Sequence, residues 1–506
     1  MVQVTLPQGQ GGWWHDYVCP VHGVELGHAG LLSGAFPAEG APCVYGCSLD
    51  TPKVRGAWTV LAHQTCGRRI LELAESLDPA DNDAALGLLT QYARLYAALP
   101  AAHEGAQAWM LRGRLFQQAL TEAIWAVTIG RASWLLADRG LGLGPEVGEL
   151  LTSLAGAAEE ARAALVEDRF TSNYVAWFCA AGAVCSRDPE WLEGQHGLYN
   201  HLLAATSPDG WQWEASTYYH SFVLRAALLA IAAVPGANPP SDVRDRLASM
   251  ADVLATLRTA GGLLPALHDG PYGRPGFDDE LAELAKLISG TPRPAGVTVF
   301  RDAGYAVLRG AGLHAIVDFG PHGGSHGHRD KLALYLYGAT SAWQPDPGQV
   351  PYGHAGWRRY YASAAAHPTF SVDGMEQAEC SGRLVDVSER SVTVECTDAF
   401  PGVVAQRRLT LTDDGLLDEL TIAAARPCRL TAHLRPAVPV EVRPGSTRWG
   451  GDQVLVGEHS CDVPAEFAAR PGPGPADDPQ RVVTHIDWTA YDAAKATFRS
   501  RYRVED

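Results

Sequence analysis

Thr291-Pro-Arg-Pro294 divides this chain. Downstream the apolar period changes from 3.6 to 2, the spacing of strands rather than helices. Ala306–Leu308 and Ala315–Phe319 are short apolar runs, and Val392, Val394 and Cys396 alternate with Thr393 and Glu395. Leu409-Thr-Leu-Thr-Asp-Asp-Gly-Leu-Leu-Asp418 carries an Asp414-Gly415 turn between two strand-like runs, a hairpin signal. Val438–Val442 and Val482–Asp487 continue the pattern, with Pro439 confining the first to a sheet edge. The Pro/Gly-rich residues 471–479 read as a loop. Residues 291–506 are therefore expected to be antiparallel β, as stacked sheets.

Upstream, residues 56–290 are Ala/Leu-rich and helical in period. After Pro239-Pro240, Ser241 reads as an N-cap, and Asp242 suits the first turn. Val243, Leu247, Met250, Leu254 and Leu257 follow at helical spacing, and Gly261-Gly262 supplies a stop. Ala84–Leu99, Leu111–Ala137, Glu146–Leu165 and Phe222–Ala233 repeat this design with short Gly/Pro/Asp breaks. Helices so connected pack as antiparallel hairpins. An incomplete (α/α) ring of hairpins fits, and a plain bundle is the alternative. Residues 1–55 are rich in Gly, Pro and Cys without helical period, and read as a small irregular or β-rich cap.

The 506 residues are 46% hydrophobic and 19% charged, a globular composition that excludes a largely disordered chain. A net charge of -17 argues against a surface that coats nucleic acid, while leaving room for a local basic cleft. No apolar run reaches the length of a membrane span, and Met1-Val-Gln-Val-Thr-Leu-Pro7 lacks the pattern of a secretory leader. These features lead to the expectation of a cytoplasmic protein, or a secreted or periplasmic one if a leader was removed, monomeric or homodimeric, with neither membrane nor nucleic-acid partner. Ten cysteines in a chain this long are too sparse for a disulfide scaffold. Cys19-Pro-Val-His22 and Cys43-Val-Tyr-Gly-Cys47 have loosely zinc-like spacing, against the alternative of buried thiols and a surface histidine.

Chemistry-bearing residues concentrate in three places. In Gly320-Pro-His322-Gly-Gly-Ser-His326-Gly-His328-Arg329-Asp330, four glycines surround three histidines. Asp346-Pro-Gly348 and His367 follow. His328, Asp346 and His367 make an N2O set suited to Zn²⁺; alternatively the histidines satisfy loop backbone groups. The second place, Asp209-Gly210-Trp-Gln-Trp213-Glu214-Ala-Ser-Thr-Tyr218-Tyr219-His220, offers a tyrosine for proton transfer, or an aromatic stripe between helices. In the third, Ser172-Asn173-Tyr174, the asparagine alone reads as a helix cap.

The order Asn, then D-G-x3-E with Tyr-Tyr-His, then H-G-H-x-D-x-L, then D-P-G, then R-x-Y and His resembles the heparinase II/III-like polysaccharide lyases. Tyr17-Val-Cys-Pro20 and Gly56-Ala-Trp58 are similar to segments of that family's exo-acting alginate-lyase branch. The resemblance implies an incomplete (α/α) toroid followed by an antiparallel β-sandwich, and β-elimination at a 4-linked uronic acid. It implies Tyr219 as the catalytic tyrosine with Tyr218 as the other candidate of the doublet. It also implies Asn173 and His326 as carboxylate-binding groups, and a structural zinc on His328, Asp346 and His367. Trp213, Glu214, His220 and His322 are candidates for substrate contact, with Arg358 or Arg359 as a bidentate grip on the carboxylate.

Two departures bear on mechanism. Relatives often place a histidine base directly after the asparagine, where this chain has Tyr174, and His367 is followed by Pro368 where relatives commonly have Asn. The first leads to the expectation that Tyr219 serves as both base and acid. Two other classes stay open. One is a toroid glycosidase using Glu214 and Asp269; the other is a carbohydrate-binding protein with a structural metal. The expected partner throughout is an acidic oligo- or polysaccharide.

Overall fold

The computed structural model describes residues 4–100, 113–272, 280, 284 and 295–505. Thr291-Pro-Arg-Pro294, where the period changes, lies outside these residues, as do Leu111 and Arg112 of an expected helix.

Ten helices precede the large sheets among the described residues: α1 (Pro52–Glu75), α2 (Pro79–Ala98), α3 (Ala119–Asp138), α4 (Gly144–Ala163), α5 (Val166–Arg169), α6 (Asn173–Ser186), α7 (Glu190–Glu193), α8 (Leu198–Ala205), α9 (Thr217–Ala233) and α10 (Ser241–Leu257). The first two start where local chemistry says they should. Thr51 and Asp78 sit at their N-caps, accepting from Val54 N at 3.2 Å and Ala80 N at 2.9 Å, and Pro52 and Pro79 follow where a missing N–H costs nothing. Helix α1 packs on α3 and α3 on α6, while α2 packs on α4. Helix α6 is buried on every side from Val175 to Cys185, so it is an inner helix, apolar all round. Helix α4 also packs on α6, so the segment is a set of mutually packed helices joined by short breaks. None of the described helices is long and apolar enough to cross a membrane.

Among the described residues the N-terminal cap holds one two-residue pairing, β1 (Ala41–Pro42) with β2 (Ser48–Leu49), an isolated bridge between Val18 and Glu25, and two single 3-10 turns, Trp14–Asp16 and Leu31–Ser33. The first large sheet is an antiparallel meander of β3 (Gly296–Phe300), β4 (Tyr305–Gly310), β5 (Leu313–Asp318), β6 (Leu334–Tyr337) and β7 (Ala342–Gln344). Both of its faces are covered. Ala306, Leu308, Ala315, Val317, Leu334 and Leu336 point into one core, and Tyr305, Val307, Ile316, Tyr335 and Tyr337 into another. Burial on both faces explains why these strands read as continuous apolar runs instead of alternating.

The second sheet contains β8 (Phe370–Val372), β9 (Arg383–Val387), β10 (Ser391–Cys396), β11 (Val403–Leu411), β12 (Leu416–Leu434), β13 (Val440–Arg443), β14 (Ser446–Trp449), β15 (Val454–Cys461), β16 (Glu466–Pro473) and β17 (Val482–Glu505). Its main path runs β13-β14-β15-β17-β12-β11-β10-β9. Leu411 pairs with Leu416 around the Asp414-Gly415 turn, and β13, beside Pro439, is the edge strand expected. The loop expected over 471–479 is corrected in its first part: Pro471, Gly472 and Pro473 end β16 opposite Thr484, Val483 and Val482. Strand β16 pairs only with β17, so its prolines break no further ladder. A short helix, α11 (Ala355–Tyr361), joins the sheets.

The chain forms two compact units. One comprises Met1–Ala205, Phe222–Asp245 and Pro351–His354; the other comprises Thr206–Ser221, Arg246–Val350 and Ala355–Asp506. The Trp-Glu-Tyr loop, although inside the helix-rich stretch, thus packs with the sheets.

Candidate functional site

Within the second unit, a loop at the end of one helical segment meets the histidine loop. Asp209 anchors the first: its carboxylate accepts from Asp302 N at 2.8 Å and Ala303 N at 3.1 Å, in the β3–β4 turn. Trp211 stacks on Tyr305 at 4.7 Å, and the Tyr305 hydroxyl donates to Ala215 O at 2.9 Å. These contacts hold Ala215 at a φ of 60°, a strained value for a residue with a Cβ, and so fix the direction of Glu214 before it.

The histidine loop closes on itself. A Cβ on Gly327 would lie 1.3 Å from His322 O, and one on Gly323 would lie 2.6 Å from Glu214 O, so both close approaches require glycine. His326 leaves this loop on a single 3-10 turn, Gly324–His326.

His326 is the centre of the site. Its ring stacks on Tyr219 with centroids 3.7 Å apart, Nδ1 is 3.0 Å from Asp269 Oδ2, and Nε2 is 3.7 Å from Glu214 Oε1. Asp269 also accepts from Arg358 Nη2 at 2.9 Å and faces His328 Nε2 at 3.3 Å. Burial alone would raise the Asp269 carboxyl; Arg358, His326 and His328 hold it instead well below the usual carboxylate range. Tyr218 and Tyr219 are half-buried and meet edge to face at 5.3 Å. Trp213 is 44% exposed beside Gly324.

Of the two arginine candidates, the structure brings Arg358 to the site and leaves Arg359 exposed. His322 is half-buried, and burial lowers its pKa. His220 is corrected as a substrate contact. It is fully buried, Nδ1 accepts from Gln212 N at 3.3 Å, and Nε2 bonds Met250 O at 2.9 Å, so it holds the loop in place. The cap reading of Asn173 is corrected as well. Ser172 is the cap, its Oγ 3.4 Å from Tyr174 N, and Asn173 is the buried first residue of α6 in the first unit. Tyr174 there accepts from Gln118 Nε2 at 2.6 Å.

His328, Asp346 and His367 converge, fully buried, with ligand-type atoms within 4.8 Å of one another. His328 Nδ1 lies 3.1 Å from His367 Nε2, which lies 3.7 Å from Asp346 Oδ1. The opposite nitrogen of each ring is already engaged, His367 Nδ1 with Ser363 O at 2.8 Å and His328 Nε2 with Asp269. Asp346 is aimed by Gly348 N at 2.9 Å and His268 N at 2.8 Å. Two ring nitrogens turned toward each other beside a carboxylate, each oriented from behind, fit a metal ion.

A second charged cluster escaped the sequence reading. His268, Asp318 and Asp330 also gather within 4.8 Å, but Lys331 Nζ pairs with Asp318 and lies 3.7 Å from Asp330. The lysine already supplies the cation, so this cluster is a buried ion network. Burial opposes the charge on His268, yet Asp330 and Asp318 outweigh it and raise its pKa to about 10. The signal that would have revealed this is Asp330-Lys331, two adjacent charges ahead of an apolar strand.

Comparison with known proteins adds the family. The family described as Heparinase II/III-like, C-terminal, matches residues 292–465, which hold the histidine loop, Asp346, Arg358 and His367. Over this region the chain is similar to that family. A search of curated proteins finds no match. Among solved structures, a heparinase III gene product superposes with a TM-score of 0.65 at 12% identity, over 89% of this chain and 78% of that one. A heparan sulfate lyase, HepC from Pedobacter heparinus, gives 0.60 at 14% identity, over 90% and 89%. A chondroitin AC lyase from Streptomyces coelicolor A3, in complex with chondroitin sulphate, gives 0.52 at 11% identity, over 88% and 74%. At such identities the likeness is one of fold. It gives this chain a helical toroid followed by antiparallel β-sheets.

Proposed function

We propose that this protein is a member of the heparinase II/III-like family and a polysaccharide lyase that cleaves 4-linked uronic-acid glycans of the glycosaminoglycan type by β-elimination. The observation that carries the reading is the stack of Tyr219 on His326, with Asp269 and Arg358 behind it. Removing the C5 proton of a uronate builds a dianionic aci-carboxylate, so positioned donors matter more than basicity. His326 is the donor on that side, and Arg358 acts through Asp269 to hold it. Tyr219, acting as the phenolate, takes the C5 proton; a C4–C5 double bond forms as the C4–O4 bond breaks, and the resulting phenol returns the proton to O4, regenerating the phenolate. Zn²⁺ on His328, Asp346 and His367 would brace the loop that presents His326. Asn173 is carried by the resemblance alone.

The glycosidase alternative fits poorly. An inverting pair needs a water between its carboxyls, whereas the His326 ring lies between Glu214 and Asp269. Asp269, held ionised by three donors, is also a poor acid.

Exo-action on alginate oligomers is the second reading, favoured by Tyr17 and Trp58. Both are buried in the core of the cap, so they support a shared lobe rather than a shared substrate. One panel decides between these: heparan, chondroitin, polymannuronate and polyguluronate, with ultraviolet absorbance of the unsaturated product and mass spectrometry of its length. Saturated products would overturn elimination, and sugar binding without turnover would favour the carbohydrate-binding class. Preference for polyguluronate would overturn the single-tyrosine mechanism.

A further inference from the structure

The N-terminal cap carries a cluster that the lyase reading leaves unused. Cys19, Cys43 and Cys47 place their Sγ atoms 3.4, 3.4 and 3.5 Å from one nitrogen, His22 Nδ1. One ring nitrogen can serve a single hydrogen bond, so three thiols converging on it are not explained by hydrogen bonding. A tetrahedral zinc with sulfur at about 2.3 Å and nitrogen at about 2.0 Å has sulfur–nitrogen edges of about 3.5 Å. The measured spacings are those edges.

The two supporting loops are built as turns around the cluster. Gly23 N donates to Cys19 O at 2.8 Å, and Cys19 N to Val24 O at 2.8 Å. Gly46 N donates to Cys43 O at 2.9 Å, Cys43 N to Cys47 O at 2.8 Å, and Tyr45 N approaches Cys43 Sγ at 3.5 Å. Cys19 and Cys43 are buried while Val21, Val44 and Tyr45 stand exposed on the turns, so the apolar tips face outward and the sulfurs inward.

We propose that Cys19, His22, Cys43 and Cys47 form a closed Cys3His site for a structural Zn²⁺. Three thiolates and an imidazole select a soft divalent ion over Mg²⁺ or Ca²⁺, and four protein ligands leave no position for substrate. Binding releases the thiol protons and forms four metal–ligand bonds, with no change of oxidation state. The metal would cross-link two turns of a lobe in which, among the described residues, the one strand pair is two residues long. What the metal secures extends to residues 351–354, since His354 Nε2 lies 3.2 Å from Pro20 O and Gly353 N donates to His15 O at 3.1 Å.

The test uses the full chain, reduced, loaded with Zn²⁺ and desalted. X-ray absorption is expected to show a zinc population with three sulfurs near 2.3 Å and one nitrogen near 2.0 Å. Cobalt substitution should add a near-ultraviolet sulfur-to-cobalt charge-transfer band, which His328, Asp346 and His367 cannot produce. By elemental analysis Cys43→Ser should lose this one equivalent and His328→Ala should keep it. Because Cys43→Ser could simply fail to fold, the spectroscopy of the unaltered chain stands alone. Zinc without sulfur ligands, or a disulfide among Cys19, Cys43 and Cys47 in the freshly isolated chain, overturns the proposal. None of these readouts depends on lyase activity.

Discussion

The imidazole of His326 lies on the phenol of Tyr219, centroids 3.7 Å apart and planes 23° from parallel. Asp269 fixes the far edge of that imidazole, and Arg358 fixes Asp269. A phenol, an imidazole, a carboxylate and a guanidinium therefore form one connected series in which each group orients the next.

Tyr219→Phe keeps the stack and removes the hydroxyl alone. The expected result is a loss of turnover of about 10²–10⁴-fold with little change in KM or thermal midpoint, since proton transfer is lost but packing is not. Tyr218→Phe should cost less than about tenfold, within reach of a lost contact. Initial rates of unsaturated-product formation for the two variants check this. Equal losses would mean that the doublet divides the acid and base roles between its members.

Asp269→Asn tests the hub. The carboxylate faces Arg358, His326 and His328, and the amide would leave these donors without their shared counter-charge. Removing one partner of a buried ion network typically costs about 3–5 kcal/mol. Turnover should fall by about 10²-fold as His326 loses its orientation, and metal affinity at His328 should weaken by about 10–100-fold. Urea denaturation, rates and metal titration on one preparation separate these effects. Wild-type values for all of them would remove Asp269 from the site.

The sequence displayed the site more clearly than its support. The H-G-H loop, Asp346 and His367 were legible because glycines and ligand-type side chains at close spacing leave few structural alternatives. Their gathering is what the structure shows. Asp269 was legible only as a possible acid, because nothing local indicates that Arg358, far along the chain, neutralises it. His220 misled for the opposite reason. A histidine beside two tyrosines looks functional, and only the fold reveals that Gln212 and Met250 consume both nitrogens. The prolines of β16 read as a loop because edge position is a property of the sheet, not of the segment.

Acid stability follows from the buried neutral histidines. Burial holds His63, His201, His220, His433 and His459 down at about 4, and His314 and His485 at about 3. In the unfolded chain they titrate near 6.5, so between pH 6.5 and about 4 the unfolded state binds more protons. Stability then rises with pH through that window and is lost as pH falls, by at most on the order of 3 kcal/mol per group. His268, raised to about 10, has the opposite sign, because its contribution is present below 6.5 and lost as pH rises through 10. Denaturant midpoints between pH 7 and 4.5 should fall steeply, with net proton uptake on unfolding. A flat profile would contradict burial of these rings in their neutral form.

Lys331→Met tests whether the His268, Asp318 and Asp330 cluster is an ion network or a metal site. Lys331, fully buried, pairs with Asp318 and lies 3.7 Å from Asp330, while His268 Nε2 is 3.3 Å from Asp318 and 3.4 Å from Asp330. Two cations therefore balance two carboxylates. Methionine fills the lysine volume without its charge and leaves one buried carboxylate uncompensated, at a cost of about 3–5 kcal/mol. The double variant Lys331→Met/Asp318→Asn restores the balance and should recover much of that loss, a coupling that urea midpoints read directly. If the cluster held metal instead, removing the competing lysine would raise the bound metal per chain and stabilise the protein on titration with Zn²⁺. The expected result is no added metal and no such stabilisation.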